Sequence, residues 1–253
     1  VGAGPFPVLV NVHGGYWRRG SRNPFYWGPY LAERGYASFN ISYRLTQPGQ
    51  KRFPDAVNDV RAAVQFVRGE AESLRLDPDR IALWGNSAGG HLAALVALAG
   101  DDPMFAGAYP QDRHATVSPK VKLLVGVYGI YDLVAQWERA QISNPGDNLV
   151  ESFIGASPAQ NRRLYFDASP ISYAVSASNK VAVHLSVGTE DDLVDRKANT
   201  DAFVLALKQA GFFVRTTILQ GAPHYWGSEP MDEPGSYSAF VAPRLVRFLA
   251  EKL

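Results

Sequence analysis

Leu83-Trp84-Gly85-Asn86-Ser87-Ala88-Gly89-Gly90-His91 decides how the rest of the chain is read. The apolar run Arg80-Ile81-Ala82-Leu83-Trp84 enters it as a strand, and a small-residue run from Ala88 to about Ala99 leaves it as a helix. Between them Gly85-Asn86-Ser87-Ala88-Gly89 has Gly-x-Ser-x-Gly spacing. In a strand–turn–helix setting that spacing holds a serine on a sharp elbow. The turn is so tight that the residues two before and two after the serine have no room for a side chain, which is why both are glycine. Ser87 is therefore expected at the carboxyl edge of a sheet, at the N-terminus of a helix whose amides favour developing negative charge.

Upstream, Phe6-Pro7-Val8-Leu9-Val10-Asn11-Val12 reads as a central parallel strand covered on both faces. It ends at His13-Gly14-Gly15-Tyr16-Trp17, a turn whose glycines let backbone amides face a reacting carbonyl. Trp17 to Pro24 reads as a loop with three arginines, a solvated basic segment. A helix is expected from Phe25 to Arg34, closed by Gly35, then a strand from Tyr36 to Tyr43. Pro54 opens a helix whose Ala56, Val57, Val60, Ala63, Val64 and Val67 form one core-facing stripe. Asp77-Pro78-Asp79 reads as a turn.

Downstream, Gly100 to Pro119 is a long polar loop of the kind that is usually functional or mobile. Strands are expected at Val121–Tyr128, Val181–Gly188 and Phe212–Leu219, and helices at Ala198–Gln209 and Ala242–Lys252. Residues 133–165 mix aromatic and polar residues without a clear period, and are expected to form a cap of short helices over the active site. Strands alternate with helices throughout, which predicts an α/β fold: a mostly parallel sheet with helices on both faces. No repeat, linker or composition break divides residues 1–253, so one domain is expected.

Bulk composition narrows the function classes. The chain has 253 residues, 46% hydrophobic and 19% charged, a balance that excludes a disordered chain. A formal net charge of +1 gives no electrostatic case for nucleic acid or an anionic membrane. With no cysteine, disulfides, thiolate metal sites and a cysteine nucleophile are all excluded. No apolar run is long enough to span a bilayer. Val1-Gly2-Ala3-Gly4-Pro5 lacks an initiating Met and is no signal peptide, so a missing natural start and a cytoplasmic location are expected.

A serine hydroxyl needs a base to take its proton. On folds built around such an elbow the chain order is serine, acid, histidine. Of the five histidines, His13 precedes Ser87, and His91 lies one helical turn beyond it and reads as a packing residue. His114 sits in the long loop and His184 inside a strand. Only His224, in Gly221-Ala222-Pro223-His224, is late enough and free to fold back over the sheet edge. The acid is expected after the strand ending at Gly188, where Glu190, Asp191, Asp192 and Asp195 all qualify by spacing. Acids left over would be solvated or would cap the following helix.

With these pieces assembled, the chain resembles the α/β hydrolases of the hormone-sensitive-lipase and kynurenine-formamidase-like esterase group. The likeness runs through His13-Gly14-Gly15-Tyr16-Trp17, the serine elbow, Tyr128-Gly129-Ile130-Tyr131-Asp132, Ala168-Ser169-Pro170, Gly188-Thr189-Glu190-Asp191-Asp192-Leu193-Val194 and the His224 loop. It implies an α/β-hydrolase fold with a small cap. Its Gly-x-x-Asp-x-x-Val pattern selects Asp191, with Asp192 in reserve, and it implies an oxyanion hole made by the amides of Gly14, Gly15 and Ala88. Members of the group carry two strands before the one ending in His-Gly-Gly, and here about a dozen residues precede it, so N-terminal strands are expected to be missing.

The expectation is a serine hydrolase that cleaves carboxylic esters of small or aryl substrates through an acyl-enzyme, with triad Ser87, Asp191 and His224. No cofactor or metal is expected, and the partner is a small-molecule ester or formamide. His-Gly-Gly-x-Trp raises arylformamidase as the alternative, and small esterases of the group, some acting on acetylated or feruloylated sugars, carry close variants. A non-catalytic binding protein on the same fold is the rival class, and it would be expected to lack a triad member. Tyr16, Trp17 and Trp226 are the expected pocket residues, with Trp27 nearby.

Overall fold

The computed structural model describes residues 2–23, 26–146 and 149–253. Val1, the Pro24 end of the arginine loop, the Phe25 start of the first expected helix, and Asp147 and Asn148 of the 133–165 insertion lie outside the described residues.

Six strands form one parallel sheet in the order β2-β1-β3-β4-β5-β6. They are β1 (Phe6–Val12), β2 (Ala37–Ile41), β3 (Leu76–Asn86), β4 (Leu123–Val127), β5 (Ala182–Gly188) and β6 (Val214–Leu219). The helices between them are α1 (Trp27–Ala32), α2 (Asp55–Gly69), α3 (Ala88–Ala99), α4 (Leu133–Ser143), α5 (Leu149–Ile154), α6 (Arg162–Ala168), α7 (Ala202–Gln209) and α8 (Tyr237–Lys252).

Successive strand residues point to opposite faces, so each apolar strand feeds two cores. Val8, Val10, Val12, Ile81 and Leu83 meet α2, α3 and α7 on one face. Leu9, Ala82, Trp84, Leu123 and Val125 meet α1 and α8 on the other. Every residue of α3 is buried. Its alanines and glycines keep the helix close to the sheet, and each leucine or valine buried there is worth roughly 1.5–3 kcal/mol.

Several strand ends move by one or two residues, and three boundaries differ in a way that changes local structure. Asp77-Pro78-Asp79 does not separate helix from strand, because β3 already begins at Leu76. Phe6 faces Leu76 and Val8 faces Ile81, so residues 77–80 bulge out of register. Proline, lacking an N–H, suits such a bulge, and Asp77 closes it by accepting from Asp79 N (2.9 Å) and Arg80 Nε (2.7 Å). The last helix starts at Tyr237 rather than Ala242, capped by Ser236, whose Oγ accepts from Ala239 N at 3.0 Å. Pro243, which the sequence places in a first turn, lies inside this helix. The helix expected from Ala198 opens with a wide turn over Lys197–Asp201 before α7.

The 100–119 loop is laid along α2. Phe105 is buried beside Phe53, and Gln65 Nε2 donates to the carbonyls of Ala115 (2.9 Å) and Val117 (2.6 Å). Among the described residues no helix is long and apolar enough to cross a membrane.

Candidate active site

Ser87 follows β3 directly and opens α3, with φ 54° and ψ −124°. That left-handed φ is strained for a residue with a Cβ and persists only where the surroundings impose it. Here they do. A Cβ on Gly85 would overlap the Gly89 carbonyl, and a Cβ on Gly89 would overlap the carbonyl of Val12. Ser87 N donates to Val127 O at 3.0 Å, fixing the elbow to β4. The serine ends 4% exposed.

His224 approaches from the loop after β6. Its Nε2 lies 3.0 Å from Ser87 Oγ, and its Nδ1 lies 2.7 Å from Asp191 Oδ2. A carboxylate only accepts, so Nδ1 carries the proton, and the bare Nε2 accepts from the serine hydroxyl. Both the Asp191 and His224 side chains are 1% exposed. The other oxygen of Asp191 accepts from the amides of Leu193 (3.0 Å) and Val194 (2.8 Å), so the carboxylate is held facing the ring.

The remaining acids of this loop have other surroundings. Glu190 and Asp192 are exposed, and Asp195 Oδ1 accepts from Ala198 N at 2.7 Å. Acid loop and histidine loop are stitched together. Glu190 N donates to Ala222 O (3.1 Å), and Gly221 N donates to Thr189 Oγ1 (2.8 Å). Tyr128, just past β4, lays its ring 4.5 Å from the His224 ring. Burial pushes its phenol pKa up, so it stays protonated at neutral pH.

The His13-Gly14-Gly15 turn lies against the elbow. A Cβ on Gly14 would be 3.1 Å from Ser87 Cβ and 2.9 Å from Asn86 O. His13 Nδ1 donates to Gly14 O at 2.7 Å, and the Tyr43 hydroxyl donates to His13 O at 3.1 Å while its ring stacks on His13. Gly15 O accepts from the amides of Arg18 and Arg19. The turn's carbonyls are thus occupied, whereas among the described residues the Gly14 and Gly15 amides donate to no backbone carbonyl. Ala88 is the first residue of α3, where an amide has no acceptor within the helix.

The other histidines are brought elsewhere. His91 Nδ1 accepts from Trp17 Nε1 at 3.0 Å, and its Nε2 donates to Ala168 O at 2.7 Å. Complete burial lowers its pKa to about 4, so the ring is neutral. His184 sits inside β5 near Thr217 and Ser186, its pKa also lowered by burial to about 4. His114 pairs with Glu70.

A cavity of about 400 Å³ opens at Ser87, and its walls differ from the expected ones. Trp17 is 0% exposed, stacked 4.6 Å from Phe153. Trp226 is buried against Tyr128, and Tyr16 packs on the core. None of the three lines the cavity; Tyr26, Trp27, Trp84, Tyr128 and Tyr225 do. Tyr16 and Trp17 take left-handed φ values of 52° and 56°, a reversal that carries Trp17 into the core and that composition does not reveal.

No described residue of the 133–165 insertion lines the cavity either. Its helices brace the loops instead: Gln136 Nε2 donates to Leu193 O (3.0 Å), and Arg139 donates to Asp192 O (2.8 Å). Tyr128, Trp84 and Asn11 are cavity residues that the sequence reading passed over. Each lies in or directly after a strand, near the carboxyl edge where open α/β sheets bind ligands.

Residues 1–204 match the BD-FAE family model. The chain is 32% identical to "Probable carboxylic ester hydrolase LipM" of Mycobacterium tuberculosis, over 98% of this chain and 55% of that protein. It is 32% identical to "Esterase LipQ" of the same organism, over 81% of this chain and 46% of that protein. It therefore spans about half the length of the curated relatives it matches. Among solved structures, the acetyl ester-xyloside bifunctional hydrolase of Caldicellulosiruptor lactoaceticus superposes with a TM-score of 0.80 at 24% identity. That superposition covers 99% of this chain and 85% of the other, a likeness of fold. On the family match, which takes in the elbow, the glycine turn and the acid loop, the chain belongs to the BD-FAE family of α/β-hydrolase esterases.

Proposed function

We propose that the protein is a serine hydrolase that cleaves carboxylic esters of small or aryl substrates through an acyl-enzyme. The observation that carries this reading is the hydrogen-bonded chain Ser87 Oγ–His224 Nε2 (3.0 Å) and His224 Nδ1–Asp191 Oδ2 (2.7 Å). Ser87 Oγ attacks the ester carbonyl while His224 Nε2 takes its proton. Amides of Gly14, Gly15 and Ala88 stabilise the oxyanion, each such donor being worth about 10²–10³ in turnover. The tetrahedral intermediate collapses, and His224 returns the proton to the departing alcohol. Water then attacks the acyl-serine with His224 again as base, releasing the acid. Asp191 orients the His224 ring and supports the imidazolium.

The test is hydrolysis of 4-nitrophenyl acetate by wild type and Ser87→Ala. Turnover should fall by more than about 10³-fold, and a variant that keeps wild-type turnover sinks the assignment. A formamide such as N-formylkynurenine is the second substrate class raised by His13-Gly14-Gly15-Tyr16-Trp17. Trp17 is buried away from the cavity, so the tryptophan of that motif cannot select a formamide by contact. The ester reading is preferred because the relatives it matches are named as a carboxylic ester hydrolase and an esterase, and kcat/KM for N-formylkynurenine against short aryl esters decides between them.

A further inference from the structure

β1 holds one polar residue that its apolar neighbours do not explain. Val10 and Val12 face α2 and α3, whereas Asn11 points to the opposite face, that of Leu9, Trp27 and Trp84. Its register partner on β3 is Trp84. Asn11 is 4% exposed, lines the Ser87 cavity, and its Oδ1 has no hydrogen-bond partner among the described residues. Leaving a buried acceptor unpaired is costly, so such a group inside a cavity is a place for a donor.

His13, two residues on and lining the same cavity, has the same peculiarity. Its Nδ1 carries the proton given to Gly14 O, so Nε2 is a bare acceptor, and it too is buried without a partner among the described residues. Burial lowers the His13 pKa, which keeps the ring neutral. The Trp27 indole N–H does not serve either acceptor, because it donates to Gly227 O at 3.0 Å. Trp84 stands three residues before Ser87 on β3. Asn11, level with Trp84, is therefore about 10 Å from the nucleophile at roughly 3.3 Å per strand residue.

We infer that Asn11 is a specificity-determining residue: with His13 Nε2 it makes a hydrogen-bonding floor that selects esters carrying a donor, such as a hydroxyl, far from the reacting carbonyl. The inference rests on the ester-hydrolase reading of Ser87. Trp27, Trp84 and Tyr128 supply apolar walls for the connecting chain.

Two matched pairs test it: hexyl acetate against 6-hydroxyhexyl acetate, and butyl hexanoate against butyl 6-hydroxyhexanoate. In wild type the hydroxylated member of at least one pair should have the higher kcat/KM, by about tenfold. Asn11→Leu, similar in size but without the carboxamide, should bring that ratio close to one. A ratio near one for both pairs in wild type, or an unchanged ratio in Asn11→Leu, overturns the inference. If circular dichroism shows that Asn11→Leu does not fold, wild-type binding decides, read by fluorescence quenching of Trp27 and Trp84. 1,6-Hexanediol should bind more tightly than 1-hexanol, and the reverse order refutes the floor. Retained turnover in Ser87→Ala would overturn the hydrolase reading and leave the binding order as the measure of Asn11. Lost hydroxyl preference with Ser87-dependent turnover intact would overturn the Asn11 inference alone.

Discussion

Lowering the pH from 7 to 5 should cost this protein stability through His91. The ring is completely buried, and that burial lowers its pKa from 6.5 to about 4, against the opposing effect of the bond to Ala168 O. In the unfolded chain the ring titrates near its ordinary value of about 6.5. Between the two values the unfolded state binds more protons than the native state, so stability falls as pH falls. The contribution is intact above about pH 6.5 and fully lost near pH 4. Integrated from pH 7 to pH 5, one such histidine costs about 2 kcal/mol. Protonation also removes the Nδ1 lone pair that accepts from Trp17 Nε1.

The assay is urea unfolding of wild type and His91→Gln, whose side chain does not titrate, across pH 7 to 5. His91→Gln should be less stable at pH 7 yet lose about 2 kcal/mol less over the interval. His184, with its pKa also lowered to about 4, leaves a residual slope in both proteins. Equal slopes in the two proteins would refute the neutral, buried state of His91.

Replacing Gly89 by Ala pushes a Cβ into the carbonyls of Val12 and His13, which belong to strand and turn backbone and cannot swing aside. Thermal melts should show a loss of more than about 2 kcal/mol; a Tm within one degree of wild type would mean the elbow is not this tight. Asp191→Asn should lower kcat/KM by up to about 10⁴-fold by disturbing the His224 tautomer. Asp192→Asn, at an exposed position, should change it less than about threefold. The opposite ranking in 4-nitrophenyl acetate assays would reassign the acid.

The strands were legible because they are apolar runs such as Val8–Val12 and Ile81–Trp84, whose composition allows little else, whereas their order in the sheet was not read from the sequence. Boundaries were less so where two local signals compete. Pro78 looks like an interruption yet a bulge accommodates it, and Pro243 suits a first turn yet lies inside a helix that starts at Tyr237. Ser87 could be singled out because Gly85 and Gly89 record a steric constraint in residue identity. His224 needed only chain order.

Choosing among Glu190, Asp191, Asp192 and Asp195 by spacing was impossible, since what separates them is which carboxylate meets the amides of Leu193 and Val194. The cavity walls were the least legible part. Trp17 and Trp226 adjoin the glycine turn and His224 in sequence but do not line the cavity at Ser87. Asn11 offered one signal, a lone amide in an apolar strand.

Burial of every residue of α3 ties Ser87, the proposed nucleophile, to the whole molecule. A helix with no solvent-facing side cannot peel away in a local fluctuation, so its amides should exchange with deuterium only through global opening. Ser87 heads that helix, and its geometry should therefore vanish together with the fold rather than ahead of it. Heat inactivation and unfolding should then superimpose on one curve, and titrating the serine with a fluorophosphonate would count folded molecules.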